Sequence, residues 1–461
     1  MNIRHRNQWK KLRHACMNWN WIFRVVWMLC LGRNNMSREM KDSGVEWLGE
    51  IPEEWKITKI KSIFYVVAGA TPKSEQEGNF DGNVTWITPA DYKTSDKYVS
   101  SGRRNLSIVG YESCNTTLVP AGSIVFSKRA PIGSVAIAKN ELCTNQGCLS
   151  CVKKGDISEK YFYFLMSILS KEFELLGTGT TFKEISAFSF ANFRIPYPES
   201  KEQIKIADFI ENKCNYIDTI INKTEISIRK YKELRESIVT KAITRGVRNN
   251  CSMKESGVEW LGRIPKNWDV KKGKQLFRET NERSVTGEEE LLTVSHITGV
   301  TPRKNKNVNM FMSESLVDYK ICHEGDVAAN TMWMWQGAIG VSKYYGVISP
   351  SYNTYRQKAD TYDADYLEYL LRIPPLVATY AAYSTGITAS RLRLYPQGFF
   401  SILFPVPPRK EQQEIAVYLN KKIPQIDQLI IKKEKFVNEL KSYKRSLIYE
   451  YVTGKKEVPE S

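Results

Sequence analysis

The sequence predicts an α+β protein in which two globular domains are separated by two long antiparallel spacer helices, the whole forming a pseudo-twofold internal repeat. Three observations predict it. A leading segment occurs twice, two apolar seven-residue patterns sit at matched places in the copies, and two unlike β-rich stretches lie between the shared parts. The expected boundaries are residues 40–200 for the first domain, 201–252 for the first helix and its linker, 253–408 for the second domain, and 409–461 for the second helix and tail. Residues 1–39 are an N-terminal extension outside the repeat.

The segment MKDSGVEWLGEIPEEW from Met40 returns as MKESGVEWLGRIPKNW from Met253, differing only at Asp42/Glu255, Glu50/Arg263, Glu53/Lys266 and Glu54/Asn267. FRIPYPESKEQIKIADFIENKCNYIDTII from Phe193 is echoed by FPVPPRKEQQEIAVYLNKKIPQIDQLI from Phe404, and the region around Thr244 by that around Thr453. Self-similarity at a fixed period marks one structural unit used repeatedly. The unit is about 210 residues long and present twice. Trp47, Trp55, Trp260 and Trp268 occur in both copies, so their expected role is packing at the root of each domain.

Residues 84–152 and 291–355 barely resemble each other. Both are rich in Val, Ile, Thr and aromatic residues broken by Gly, Pro and Asn, which reads as mixed sheet and turn. Helical spacing of apolar residues predicts short helices over 159–173 and 364–371.

In the first long helical segment Ile210, Ile217, Tyr231 and Ile238 share one seven-residue phase, with Cys214, Ile221, Ile228 and Ala242 four residues on. Leu419, Ile426, Leu440 and Leu447, with Ile423, Ile430, Val437 and Tyr451, repeat the pattern in the second. One such seam describes an ordinary core helix; two at matched positions are each other's natural partner in an antiparallel pair. Pro424 is expected to divide the second segment into a short helix and a long one, since proline lacks the amide an unbroken helix needs.

The formal charge is +17 with a pI near 9.3. A chain this basic is biased toward a polyanion, with nucleic acid ahead of an anionic membrane surface. Arg4, Arg6, Lys10, Lys11, Arg13, Arg24, Arg33 and Arg38 stand against Glu39 alone in the first segment, and removing those seven net charges leaves about +10. The run WIFRVVWMLCL from Trp21 imitates a signal peptide, but Arg24 interrupts it and no small-residue cleavage site follows. It is far short of the about 20 residues that cross a bilayer. Translation starting at Met36 or Met40, with the upstream part an over-extended reading frame or a disordered tail, and no membrane association, are expected. Nine cysteines in irregular spacing suggest reduced thiols in a cytoplasmic protein. Cys143, Cys148 and Cys151 invite a metal reading, but the four histidines lie elsewhere and no second pair completes a ligand set, so buried strand thiols are preferred.

No GxxxxGK[ST] loop, no GxGxxG after a strand and no Asn/Asp-Pro-Pro-aromatic tetrapeptide occurs. GTGTT from Gly177 lacks a following lysine and suits a DNA phosphate better than a nucleotide. No catalytic or metal-binding residue is therefore expected. An enzyme with degenerate motifs is the opposing reading, and the scattered acids offer it no metal cluster.

The ordered set GVEWLGEIPEEW, GTGTTFKEISAFSFANFRIPYP and KEQIKIADFIENKCNYIDTII, with STGITASRLRLYPQGFFSILFPVPPRKEQQEIAVYL in the second copy, resembles the specificity subunit of type I restriction-modification systems. The resemblance runs from Met40 to Val458 and has no counterpart for the extension. It implies two target-recognition domains that each read half of a split site in double-stranded DNA, with the helices setting the unread spacer. It also implies docking of two methyltransferase subunits and of motor-nuclease subunits, which would carry S-adenosylmethionine, ATP and magnesium; this chain would carry no cofactor. A free-standing DNA or RNA adaptor with the same two-domain clamp is the alternative within binding proteins.

Base edges and phosphates are met by Arg, Lys, Asn, Gln, Ser and Thr presented from loops. The candidates in the first domain are Thr88, Asp91, Lys128, Arg129, Thr144, Asn145, Gln146, Thr181 and Lys183. Those in the second are Asn330, Trp333, Gln336, Ser351, Tyr352, Arg391 and Arg393. The same residue types also satisfy turns; Arg129, Arg391 and Arg393 have the fewest structural jobs open to them. Trp333 and Trp335 lie in the unshared part, where a core role and a base contact both remain open.

Overall fold

The computed structural model describes residues 38–459 apart from 94, 130, 180–182, 249–250, 307–314 and 389–390. The chain forms two compact units, one from the residues up to Ile221 together with those from Asn438 onward, the other Asn222–Val437. Each long helix is thus divided between units in mid-length, whereas boundaries drawn from sequence treat it as one segment.

In the first unit the leading motif folds as a hairpin, Met40–Asp42 against Glu50–Pro52. Gly44 and Gly49 take left-handed φ of 64° there, a conformation that favours glycine. Lys56–Lys59 pairs antiparallel with Arg194–Tyr197, which returns the chain to its starting point after the variable stretch. That stretch builds a five-stranded sheet in the order Phe64–Ala68, Cys148–Lys153, Ile124–Ser127, Val135–Ala138, Tyr98–Val99, antiparallel except for its last pair. The helix expected over 159–173 is two, Glu159–Ile168 and Ser170–Leu175, broken at Leu169. Phe126 anchors the core, its ring 4.3 Å from Phe190 and 4.8 Å from Phe173.

The second unit repeats this order. The hairpin is Met253–Glu255 with Arg263–Pro265, and the closing pair is Asp269–Lys272 with Leu403–Val406. The sheet has four antiparallel strands, Phe277–Thr280, Asn353–Gln357, Val327–Ala329 and Ile339–Val341. The expected helix Ala364–Leu371 is present, followed by Pro374–Ala382. Tyr355 stacks on Phe399 at 4.4 Å.

The long helices are Ser200–Arg245, 46 residues, and Arg409–Val452, 44 residues, about 69 and 66 Å at 1.5 Å per residue. Within each unit they run antiparallel. In the first, Phe209 meets Tyr451 at 4.7 Å and Lys444 Nζ reaches Asp218 at 2.6 Å. In the second, Lys232 pairs with Glu434 at 2.9 Å, Arg235 with Asp427 at 2.7 Å, and Arg248, just beyond the first helix, with Glu414 at 2.7 Å. The expected seam is buried with two exceptions. Ile238 and Tyr451 are only half-buried, while Val239 and Val452 are buried in their place, as follows when a 3.6-residue helix drifts from a strict seven-residue repeat.

Pro424 does not divide the second helix, which continues through it. The proline is exposed, so the carbonyl it leaves unbonded faces water, and buried Ile423 and Ile426 on either side hold the turn.

Matched contacts fix the helix ends. Tyr161 Oη donates to Val452 O at 2.8 Å and Tyr366 Oη to Ile243 O at 3.2 Å, satisfying carbonyls that a helix terminus leaves open. Buried Gln203 accepts from Ser158 N and donates to Pro198 O; buried Gln412 does the same with Asp363 N and Pro407 O.

Trp55 and Trp268 are buried at the domain roots, and Trp47 and Trp260 half-buried beside them. Trp55 Nε1 donates to Glu202 Oε2 at 2.9 Å, and Glu202 Oε1 receives Arg38 Nη1 at 2.7 Å. Arg38 also bonds Glu54 and lies over the Trp55 ring. A boundary after residue 39 therefore omits an arginine that the first unit uses. In the second unit Cys251 stands where Arg38 does, and both Trp268 Nε1 and Glu411 Oε1 are buried without a partner. The remainder of the extension, residues 1–37, lies outside the described residues.

Cys143, Cys148 and Cys151 fall in three separate apolar clusters. Burial pushes the Cys143 thiol up to about 11 and that of Cys148 to about 12. Among the described residues no set of His, Cys, Asp and Glu is arranged for a metal ion, and no helix is long and apolar enough to cross a membrane.

Candidate nucleic-acid interface

In the first unit the strand pair Trp86–Ile87 and Cys143–Thr144 runs parallel, so the loops leaving both strands emerge on the same side. Asn145 N donates to Ile87 O at 2.9 Å, Ala70 N to Thr144 O at 3.0 Å, and Lys128 N to Gly147 O at 2.9 Å. Ile185 N closes the set on Lys128 O at 3.0 Å. Gly69 has no room for a side chain, since a Cβ would sit 2.1 Å from Thr144 O. Loops from five places in the sequence thus meet in one cluster, which carries all of the first-domain candidates but Thr181, a residue outside the described set.

Their roles within the cluster differ. Thr88 and Asp91 close a turn: Asp91 Oδ2 accepts from Thr88 N at 2.8 Å and Thr88 Oγ1 at 2.7 Å, and Oδ1 from Arg103 N at 3.0 Å. The Asp91 carboxylate is spent on this turn, and what it presents is Arg103, whose side chain is 79% exposed. Thr144 is buried in its strand. Asn145 Oδ1 accepts from Gly147 N at 3.0 Å, and exposed Gln146 bonds Thr71 Oγ1. Lys128 and Arg129 both grip Glu184, at 2.8 and 2.7 Å, beside exposed Lys183. Burial works to raise the Glu184 carboxyl, but the two cations prevail and hold it below the ordinary value.

The second unit builds the equivalent hairpin from Val327–Ala329 and Ile339–Val341. Asn330 Nδ2 donates to Tyr352 Oη at 2.8 Å, and Thr331 Oγ1 to Ser351 O at 2.8 Å, tying the hairpin to the loop before Asn353–Gln357. Asn330 is buried, Gln336 half-buried and Ser351 exposed. Trp333 is 48% exposed and stacks on Trp335 at 6.3 Å, while Trp335 Nε1 is anchored on Met332 O. Exposed Arg391 and half-buried Arg393 sit on a separate loop closed by the Thr385–Arg393 bridge. That bridge matches Thr178–Glu184 in the first unit.

Thr71, Arg103 and Arg303 join these clusters without having been singled out from sequence. Arg303 lies close enough to Tyr352 to oppose the upward pull of burial on its hydroxyl. The Gly-Arg-Arg run at residues 102–104 was the available signal for Arg103; its support by Asp91 is not visible in linear order.

Each unit also has a cleft beside its short helix, against both long helices in the first unit and against Ser200–Arg245 in the second. The first is about 310 Å³ and includes Tyr163, Ser167, Lys97, Lys444 and Arg445; the second is about 280 Å³ and includes Glu368, Arg372, His296, Arg235 and Glu236.

Comparison with known proteins places these features in context. The family described as "Type I restriction modification DNA specificity domain" matches residues 52–230. The specificity subunit of the type I restriction enzyme MjaIX of Methanocaldococcus jannaschii is 32% identical over 252 residues, 53% of this chain and 56% of that protein. The EcoR124I/EcoR124II specificity subunit of Escherichia coli is 26% identical over 207 residues, 42% of this chain and 46% of that protein. The chain thus aligns with about half the length of these curated relatives. Among solved structures, a chain from a study of type I R-M complex assembly and conformational transition has a TM-score of 0.68 at 14% identity, covering 87% of this chain and 98% of its own. HsdS from Thermoanaerobacter tengcongensis has a TM-score of 0.51 at 14% identity, covering 88% and 98%. These two likenesses establish a shared fold.

Proposed function

We propose that this chain is a type I restriction-modification specificity subunit that reads the two halves of a split site in double-stranded DNA and brings partner subunits to it. The observation that carries the reading is the pair of loop clusters. Each unit brings loops distant in sequence together into a polar, partly cationic surface, and the greater part of those loops comes from the stretches that the two copies do not share. Shared scaffolds with unlike tips are what reading two different half-sites requires. The long helices then set the number of unread base pairs. The recurrence of one cleft in both units supports the docking of two copies of a partner, which we assign to methyltransferase subunits, with motor-nuclease subunits joining that core.

In this reading the chain performs no chemistry, works in the cytoplasm and holds no cofactor. S-adenosylmethionine, ATP and magnesium belong to the partners. The test is single-molecule sequencing of adenine methylation in DNA from cells expressing this chain with its neighbouring methyltransferase. A split motif that disappears when the chain is deleted is expected. Methylation that is unsplit, or indifferent to the chain, overturns the reading.

A further inference from the structure

We propose that Lys320 is a positioning residue that sets the spacing of the second unit's two reading loops and thereby the base preference of one half-site; this rests on the function proposed above. Lys320 lies in the strand Lys320–Cys322 and is 6% exposed. Its Nζ donates to Tyr352 O at 2.6 Å and to Asn353 Oδ1 at 3.3 Å. Among the described residues it makes no direct ion pair, Glu279 acting on it only through space, although an ammonium offers three donors. A buried cation with no carboxylate in direct contact is unfavourable. Packing alone does not explain a lysine here, because methionine would fill the same space.

The bonds that Lys320 makes lead to the interface. Its grip on residues 352–353 fixes the end of the loop that runs into Asn353–Gln357. Tyr352 Oη then receives Asn330 Nδ2, Asn330 Oδ1 receives Met332 N at 3.2 Å, and Asn330 O receives Trp333 N at 3.0 Å. One ammonium therefore stands behind both the 349–352 loop and the hairpin that displays Trp333. The first unit makes a comparable tie with a neutral group, Thr116 Oγ1 donating to Thr144 O at 2.8 Å. Burial holds the Lys320 ammonium below the ordinary lysine value, and Glu279 opposes the shift only in part.

The test reads the methylated motif of the full chain with its methyltransferase, the second half-site being identified by exchanging residues 291–355. Lys320→Met should relax base preference in that half-site on the order of ten-fold at one or more positions, leaving the other half-site unchanged. Tyr352→Phe removes only the hydroxyl facing Asn330 and should relax the same positions. Unchanged preference in a folded Lys320→Met protein overturns the inference and leaves the functional reading intact. Should Lys320→Met fail to fold, Asn353→Ala, which removes the side-chain oxygen that Lys320 grips, decides, and unchanged preference there overturns the inference. A wild-type complex with no split motif overturns both.

Discussion

The hairpin after Ile124–Ser127 in the first unit and the one after Val327–Ala329 in the second are built alike and tipped differently. Each turns on a left-handed glycine, Gly133 with φ 91° and Gly337 with φ 87°, and each leaves an inner strand of its sheet, returning in the second unit as the edge strand Ile339–Val341. The first tip carries Lys128 and Arg129, held by Glu184. The second carries Trp333 stacked on Trp335. One scaffold therefore presents two cations sharing one carboxylate in one copy and an exposed aromatic face in the other. The lesson is that the sheet fixes where a tip stands, while the tip's chemistry is free to diverge.

Substitutions at matched positions separate what is shared from what is not. The largest effect is expected where the copies differ inside the helices: Pro424 corresponds to Asn215. Asn215→Pro should destabilise the first unit by about 3 kcal/mol, read by denaturant unfolding, and Pro424→Asn should stabilise the second. A loss near zero would mean that the first helix already tolerates a break there. Next, Glu202→Gln removes the carboxylate that Arg38 and Trp55 share and should cost about 2 kcal/mol. Glu411→Gln, at the site with no arginine, should change stability by less than about 0.5 kcal/mol. Equal losses, measured by hydrogen exchange of each unit's core amides, would show that the unequal pairing of the two sites has no energetic consequence. The smallest effect concerns the tips. Glu184→Gln frees two cations, so the slope of log affinity against log salt should steepen by about one. Trp333→Ala should weaken binding without moving that slope, and parallel shifts in both variants would erase the distinction between the tips.

The repeat itself, the root tryptophans and the helix seam were legible in the sequence, because repetition reports on what both copies need, whereas the hairpin that the leading segment forms was not. Features that rest on one copy's tertiary contacts were not. Asp91 and Thr144 have the composition of base readers, yet the structure engages one in a turn and buries the other. Turn chemistry and groove chemistry use the same side chains. Arg38 lay inside a segment that looked extraneous, since its partner Glu202 is far away in sequence. Lys320 reads as one more polar residue in a strand pattern until its burial is seen.

The first unit takes its final piece from Asn438 onward, and Leu447, Ile448, Val452 and Val458 lie in the same core as Trp55 and Phe126. The second unit is continuous, Asn222–Val437. During synthesis domains generally fold from the N-terminus first, and this division of the chain predicts the opposite order. The second repeat has all of its residues while the first still lacks part of its core, so the first domain is expected to complete its core only after the residues from Asn438 onward are made. A nonsense mutation late in the gene would therefore damage the domain encoded at its beginning.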